Sequence, residues 1–416
     1  GARARTWRSM AISWKRNLYL VWISQLLAMA GFSAITPFIP VFIRDHFGIY
    51  DEKVRGAWVS ALTFFGMFSF CVSAPLWGML ADRFGRKMML LRSYYVTALL
   101  FPLLYFAPNM IVLIMLRFCV SAFSGTVTAA QTLVVTTTPE ENHGFALGML
   151  STAVWSGNMF GFMAGAMIVN YCGYFWGFAI CGIMYLLGGL LVQFFVKEDF
   201  VRQPKPLITA GPVKKPGLRG VIHAYSLSVW LMLLLFVLMG LSRRYDEPYL
   251  AILVEAIHGT VDTSYYTGII SAGAALGGVI SGVVLGRLCD RYSPLKLAYP
   301  LIGLSFLFML WQAFSQNLLS LGVARFGCFM AAGGLEPAFQ ALLAQMAPPE
   351  KRGTLFGIAS SLRMTGILLA ALSGGFVIYF LGTRAIFVAA ALLMLTLLPL
   401  LYWSTKYRRQ TPAKAS

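Results

Sequence analysis

Several ionisable side chains of this 416-residue chain lie deep inside apolar stretches, where charge is expensive: Arg117, Arg243, Arg244, Asp246, Glu247, Arg325, Glu336 and Arg363. Charges kept in such places pair with one another, hold an ionic solute or carry a proton. Asp246, Glu247 and Glu336 are the acids that could carry a proton. The arginines do not release theirs and suit a charged solute pathway, with Gln25 as a neutral polar group in the first apolar run. In Ser242-Arg-Arg-Tyr-Asp-Glu-Pro248 the spacing lets Arg243 pair with Asp246 or Glu247, and Arg244 with Glu247, because residues three and four apart share a helix face. Pro248 cannot donate to the carbonyl of Arg244, so a helix should bend there. If the seventh apolar run stops at Leu241, these charges form a loop instead. Glu336 and Arg363 stand at nearly equal separations on either side of Pro349, so antiparallel helices bring them to one depth. Glu336 is then the leading proton-coupling acid, or half of a permanent structural salt bridge. Asp45, Glu255 and Asp262 fall near helix ends and are read as solvated.

Hydrolytic chemistry has no support in the residue pattern. His46, His143, His223 and His258 all lie at the ends of apolar runs, and neither H-E-x-x-H nor G-x-S-x-G occurs. The cysteines Cys71, Cys119, Cys172, Cys181, Cys289 and Cys328 lack metal-ligand spacing and read as reduced, buried thiols. No metal, no cofactor and no enzymatic activity are expected.

The elements that position these residues follow from composition. Only 12% of residues are charged, against about 25% in a soluble protein, while 58% are hydrophobic and mean hydropathy is +0.73. A span needs about 20 apolar residues. Runs of that kind lie near 17–43, 57–80, 88–107, 110–133, 144–169 and 174–196, then near 223–257, 264–288, 296–314, 318–344, 354–380 and 384–404. An all-α membrane protein of twelve helices is expected.

The net charge of +18 does not point to nucleic acid, because basic residues collect in every second loop. Arg3, Arg5, Arg8, Lys15 and Arg16 precede the first run; Arg83, Arg86, Lys87 and Arg92 follow the second; Lys406, Arg408, Arg409 and Lys414 end the chain. The opposite side carries only Arg44, Lys53, Arg55 and Arg384. By the positive-inside rule both termini are expected to be cytoplasmic.

The halves repeat. Gly78-Met-Leu-Ala-Asp82-Arg83 matches Gly286-Arg-Leu-Cys-Asp290-Arg291, Arg117-Phe118 matches Arg325-Phe326, and Pro37-Phe-Ile matches Pro248-Tyr-Leu. Matches in one order indicate duplication, and a site at the repeat interface. Two six-helix bundles are expected at 1–196 and 223–416, joined by a basic, proline-bearing linker at 197–222.

The loop Gly78-Met-Leu-Ala-Asp82-Arg83-Phe-Gly85-Arg86-Lys87 resembles the signature loop of the major facilitator superfamily. That resemblance implies a conformational latch formed by Gly78, Asp82, Arg83, Gly85, Arg86 and Lys87. Physically, Gly78 would admit a close helix approach, Gly85 would permit a turn, and Asp82 could meet the positive end of a neighbouring helix. Leu113-Ile-Met-Leu-Arg117 resembles the arginine motif of proton-coupled facilitators, with Val120-Ser121 where glutamine and glycine are usual. Gly157-Asn-Met-Phe-Gly161-Phe162-Met-Ala-Gly165 is similar to the antiporter motif without its proline; the same small-residue spacing serves plain helix packing. Overall, Trp14 to about Leu400 resembles the bacterial drug:proton antiporters. The resemblance implies a monomeric secondary transporter working by alternating access, with a small-molecule substrate, protons and the bilayer as partners. Proton-coupled efflux of amphiphilic molecules is expected. The excess of embedded arginine over acid leaves open transport of an organic anion, such as a carboxylate siderophore.

Overall fold

In hydrocarbon no water is available to satisfy backbone N–H and C=O groups, so an apolar run must close its hydrogen bonds internally. The computed structural model describes residues 2–198, 226–346 and 352–410, and the regular structure there is helical throughout. Most of the 197–222 linker, and the Pro349 turn, lie outside the described residues.

In chain order the helices are α1 (Ala2–Ser33), α2 (Ile39–Phe47), α3 (Glu52–Phe84), α4 (Arg86–Leu100), α5 (Met110–Phe123), α6 (Thr126–Thr137), α7 (His143–Cys172) and α8 (Tyr174–Phe195). After the linker come α9 (Leu227–Arg243), α10 (Leu250–His258), α11 (Thr263–Arg291), α12 (Pro294–Phe314), α13 (Leu318–Ala332), α14 (Leu335–Met346), α15 (Arg352–Leu381) and α16 (Thr383–Gln410). Among the described residues, ten helical stretches are long and apolar enough to cross a membrane. α11 and the broken pair α13–α14 take the eighth and tenth places of the expected order, which is consistent with twelve membrane helices. Large apolar side chains such as Leu99, Ile111, Met115, Phe194 and Phe380 face outward, as lipid contact requires.

Among the described residues, the first, fourth, seventh and tenth membrane helices are interrupted, at matching places in the repeat. The first breaks at a 3₁₀ turn over Thr36–Phe38 and the seventh at one over Glu247–Tyr249, each centred on a proline. The fourth breaks at Ser124–Gly125, where Gly125 takes φ +110°, a backbone that favours glycine. The tenth breaks at Gly333–Gly334; a side chain on Gly334 would strike Leu285 of α11. Interrupted helices free backbone groups and are tolerated in membranes only where protein or water satisfies them. The repeat extends to helix caps: Asn109 accepts from the Val112 N–H at 3.0 Å, and Asn317 from the Ser320 N–H at 2.8 Å.

The chain divides into two compact units. One comprises Gly1–Gln203 with Leu250–Val279; the other comprises Pro204–Tyr249 with Ile280–Ser416. In the first, α1 packs on α7 and α8, and α4 on α8. In the second, α9 packs on α15 and α16, and α12 on α16, the same arrangement one repeat later. Its core is formed by residues such as Met232, Phe236, Met239, Phe339 and Met394.

Candidate functional site

The charges of the seventh helix lie at its break. Pro248 lacks an N–H and its ring excludes a helical carbonyl four residues before it, so α9 stops at Arg243. Beyond that point residues no longer share a helical face. The expected pairing of Arg243 with Asp246 or Glu247 therefore does not form, and both partners turn elsewhere. Asp246 meets Arg325 of α13: Nη1 donates to Oδ2 at 2.5 Å and to Gln312 Oε1 at 2.9 Å. Asp246 and Arg325 are 2% and 3% exposed. Arg325 also lies over the Phe329 ring, 5.2 Å from its centroid. Arg244 and Glu247 form a close, exposed ion pair three residues apart.

Arg243 instead faces Glu336. Its Nη1 lies 3.6 Å from Oε2, and Arg363 Nε lies 3.5 Å from Oε1 of the same carboxylate. Glu336 stands in the first turn of α14, immediately after the Gly333–Gly334 break, where the helix dipole favours a negative charge. Arg243 and Arg363 meet because α9 and α15 cross closely at glycines. Gly240 sits on the Arg363 carbonyl and Gly366 on the Val237 carbonyl, with no room for a Cβ at either. Glu336, Arg243 and Arg363 are 30%, 21% and 28% exposed, unlike the sealed Asp246–Arg325 pair.

In the first unit Arg117 is half-buried and has no acidic partner among the described residues. Its guanidinium lies 5.6 Å from the Phe32 ring centroid and 6.0 Å from that of Phe101. Gly66 leaves it space: a Cβ there would approach Nε to 3.3 Å. Gln25 is fully buried and donates to Tyr94 Oη at 2.8 Å and to the Thr126 carbonyl at 3.3 Å. The glycines of the fifth span form a packing seam. Gly157 approaches Leu26 and Gly161 approaches Ala30 along α1, and Gly165 is seated on the backbone of Ala34, just past its end.

In the signature loop Gly85 turns the chain at φ +97° between α3 and α4. The Asp82 side chain lies outside the described residues; Arg83 is exposed beside the Phe84 ring. Gly78, expected at a close helix approach, meets nothing within 4 Å where a Cβ would stand. It lines an apolar cavity of about 100 Å³ with Phe70, Trp77, Arg92 and Gly125, which explains the difference. The positive end of α4 is met by Glu198, which the sequence did not single out. It accepts from the Arg86 N–H at 3.0 Å and the Lys87 N–H at 2.8 Å. Lys87 Nζ donates to the carbonyls of Gln193 and Val196 at 2.9 and 2.6 Å.

At the opposite end of the same unit lies a second group the sequence missed. Glu255 of α10, expected to be solvated, binds Arg44 Nη1 at 3.1 Å and Arg55 Nη2 at 3.0 Å, and Arg55 is only 1% exposed. Arg44 Nε also donates to Asp45 Oδ1 at 2.6 Å, and Tyr174 donates to Asp45 Oδ2 at 2.6 Å. Asn170 donates to Asp262 Oδ1 at 2.9 Å. The available signal was the scarcity of basic residues on this side: Arg44 and Arg55 are exceptions to the charge bias, and both serve this clamp.

The sequence model of the Major Facilitator Superfamily matches residues 21–311 and 247–416. The chain is 32% identical over 409 residues to the multidrug resistance protein MdtG of Citrobacter koseri, covering 97% of this chain and 98% of that one. It is 29% identical over 391 residues to the multi-drug resistance efflux pump PmrA homolog of Lactococcus lactis, covering 93% and 94%. The crystal structure of the nucleoside transporter NupG superposes with a TM-score of 0.75 at 12% identity, covering 93% of this chain and 99% of that one.

Proposed function

Because the chain belongs to the major facilitator superfamily, and is a multi-pass membrane transporter, we propose that it exports amphiphilic small molecules by proton-coupled alternating access. The names of its relatives support drug efflux. The coupling assignment rests on one observation: of the embedded acids, Glu336 alone combines partial exposure with loose contacts, at 3.5 and 3.6 Å, to two cations. Asp246 is sealed by a short bond to Arg325, and Glu247 is held by its neighbour Arg244. A coupling acid must exchange protons with water and change partners during the cycle. Glu336 is the group placed to do both.

Arg44, Arg55 and Glu255 close the end opposite the signature loop, and in this reading they form the outer gate. Both termini are cytoplasmic, the membrane is a bacterial inner membrane, and the working unit is a monomer. The signature loop biases the conformational equilibrium from the cytoplasmic side. The test is a proteoliposome assay with purified protein. Under an imposed pH gradient, adding an exported amphiphile should accelerate proton flow, read by an internal pH dye. Substrate movement with no accompanying proton flow would reject coupling.

A further inference from the structure

Building on proton-coupled export, we propose that the exported amphiphiles carry a negative head group, a carboxylate or similar monoanion, and that Arg243 and Arg363 bind it. Charge bookkeeping of the embedded groups leads there. Among the described residues, Asp45, Asp246, Glu247, Glu255 and Glu336 each already face an arginine. A cationic solute finds no uncommitted carboxylate among them. The pairs Asp246–Arg325 and Glu247–Arg244 are balanced one to one. The third group is not: Glu336 is shared by two guanidinium groups, which leaves it one positive charge in excess.

Its geometry is that of a site. The contacts at 3.5 and 3.6 Å are longer than the roughly 2.7–2.9 Å of a charge-assisted hydrogen bond, so neither guanidinium is saturated by Glu336. Each guanidinium carries about five N–H donors, and no other acceptor among the described residues engages them. An ionised guanidinium is expensive against hydrocarbon, so the exposed fifth to third of these side chains opens on water. Their positions are set by backbone, since the Gly240 and Gly366 contacts fix the crossing of α9 and α15. A planar carboxylate entering from that water bridges the two forks as Glu336 does now, and it neutralises the excess charge. Glu336 is thus a resident competitor for the site. Arg117, also without an acid among the described residues, gives the embedded region of the first unit the same sign.

The test compares two probes of nearly equal shape, one anionic and one neutral, dansyl-labelled hexanoic acid and its carboxamide. Each is titrated by fluorescence against the full chain in nanodiscs of zwitterionic lipid. The acid should bind about tenfold tighter than the carboxamide, the worth of one charge-assisted hydrogen bond. R243Q and R363Q should each abolish that preference, with folding certified by an unchanged size-exclusion profile and Tm in detergent. E336Q should strengthen acid binding, because the competitor is neutralised; loss of a merely structural bridge would not. Equal affinities for the two probes, a preference that survives in both arginine variants, or weaker acid binding by a folded E336Q would overturn the proposal. The titration uses no gradient, so an acid preference that stands while proton flow fails refutes coupling and leaves the anion site intact.

Discussion

Asp246 and Arg325 show what burial does to a single ion pair. Their bond is short, both are nearly sealed from solvent, and Gln312 satisfies a further donor. Removing one partner strands a charge in a medium that cannot solvate it. Asp246→Ala should therefore destabilise the protein by about 3–5 kcal/mol, seen as a large fall in Tm in detergent. Replacing both residues with leucine and methionine should recover most of the loss. An unchanged Tm in the single variant would contradict the burial. The identity of the charged residues was legible in the sequence, because ionisable side chains stand out in apolar runs. Their partners were only partly legible. Helical spacing paired Arg244 with Glu247, as found, but it also paired Arg243 with Asp246 or Glu247, and that pairing fails because α9 stops at Arg243. The depth argument from Pro349 did bring Arg363 to Glu336, because it depends on chain topology and not on helical phase.

Elements meet where side chains are absent. Gly157, Gly161 and Gly165 lay α7 against residues Leu26 to Ala34, the end of α1 and the residue after it, and Gly165 has no space for a Cβ. Gly165→Leu should prevent this contact and leave little folded protein, while Gly148→Leu, at a position open to 4 Å, should fold normally. Size-exclusion profiles of the two variants distinguish the outcomes; equal yields would contradict the seam. The glycine spacing was visible in the sequence, yet spacing alone could not separate packing from a transport motif, since both need small residues. The clamp of α2, α3 and α10 was not legible at all. Its residues lie near helix ends, where charge is ordinarily solvated, and their burial depends on contacts far apart in the chain. Glu255→Gln should weaken it. A cysteine at the buried Ser264, in this same unit, should then react about tenfold faster with a membrane-impermeant maleimide, equivalent to about 1.4 kcal/mol of opening. Equal labelling rates would remove Glu255 from the gate.

The whole molecule is an arithmetic of charge in lipid. The all-helical, membrane-spanning architecture and its duplicated order were legible because apolar length acts on composition, which needs no tertiary knowledge. The interrupted helices were half legible: Pro37 and Pro248 announce two breaks, whereas Gly125 and Gly333–Gly334 look like any membrane glycine until φ and neighbours are known. The break at Gly333–Gly334 leaves Glu336 partly exposed in the first turn of α14, facing two arginines, and the account of the molecule as a proton-coupled exporter turns on that residue. The direct measurement is transport by Glu336→Gln in proteoliposomes, recorded in two modes on one preparation. The account predicts that export driven by a pH gradient falls to background while substrate exchange at equal pH on both sides persists near the wild-type rate. Gradient-driven export at the wild-type rate would contradict it, and so would loss of both modes together in a folded protein.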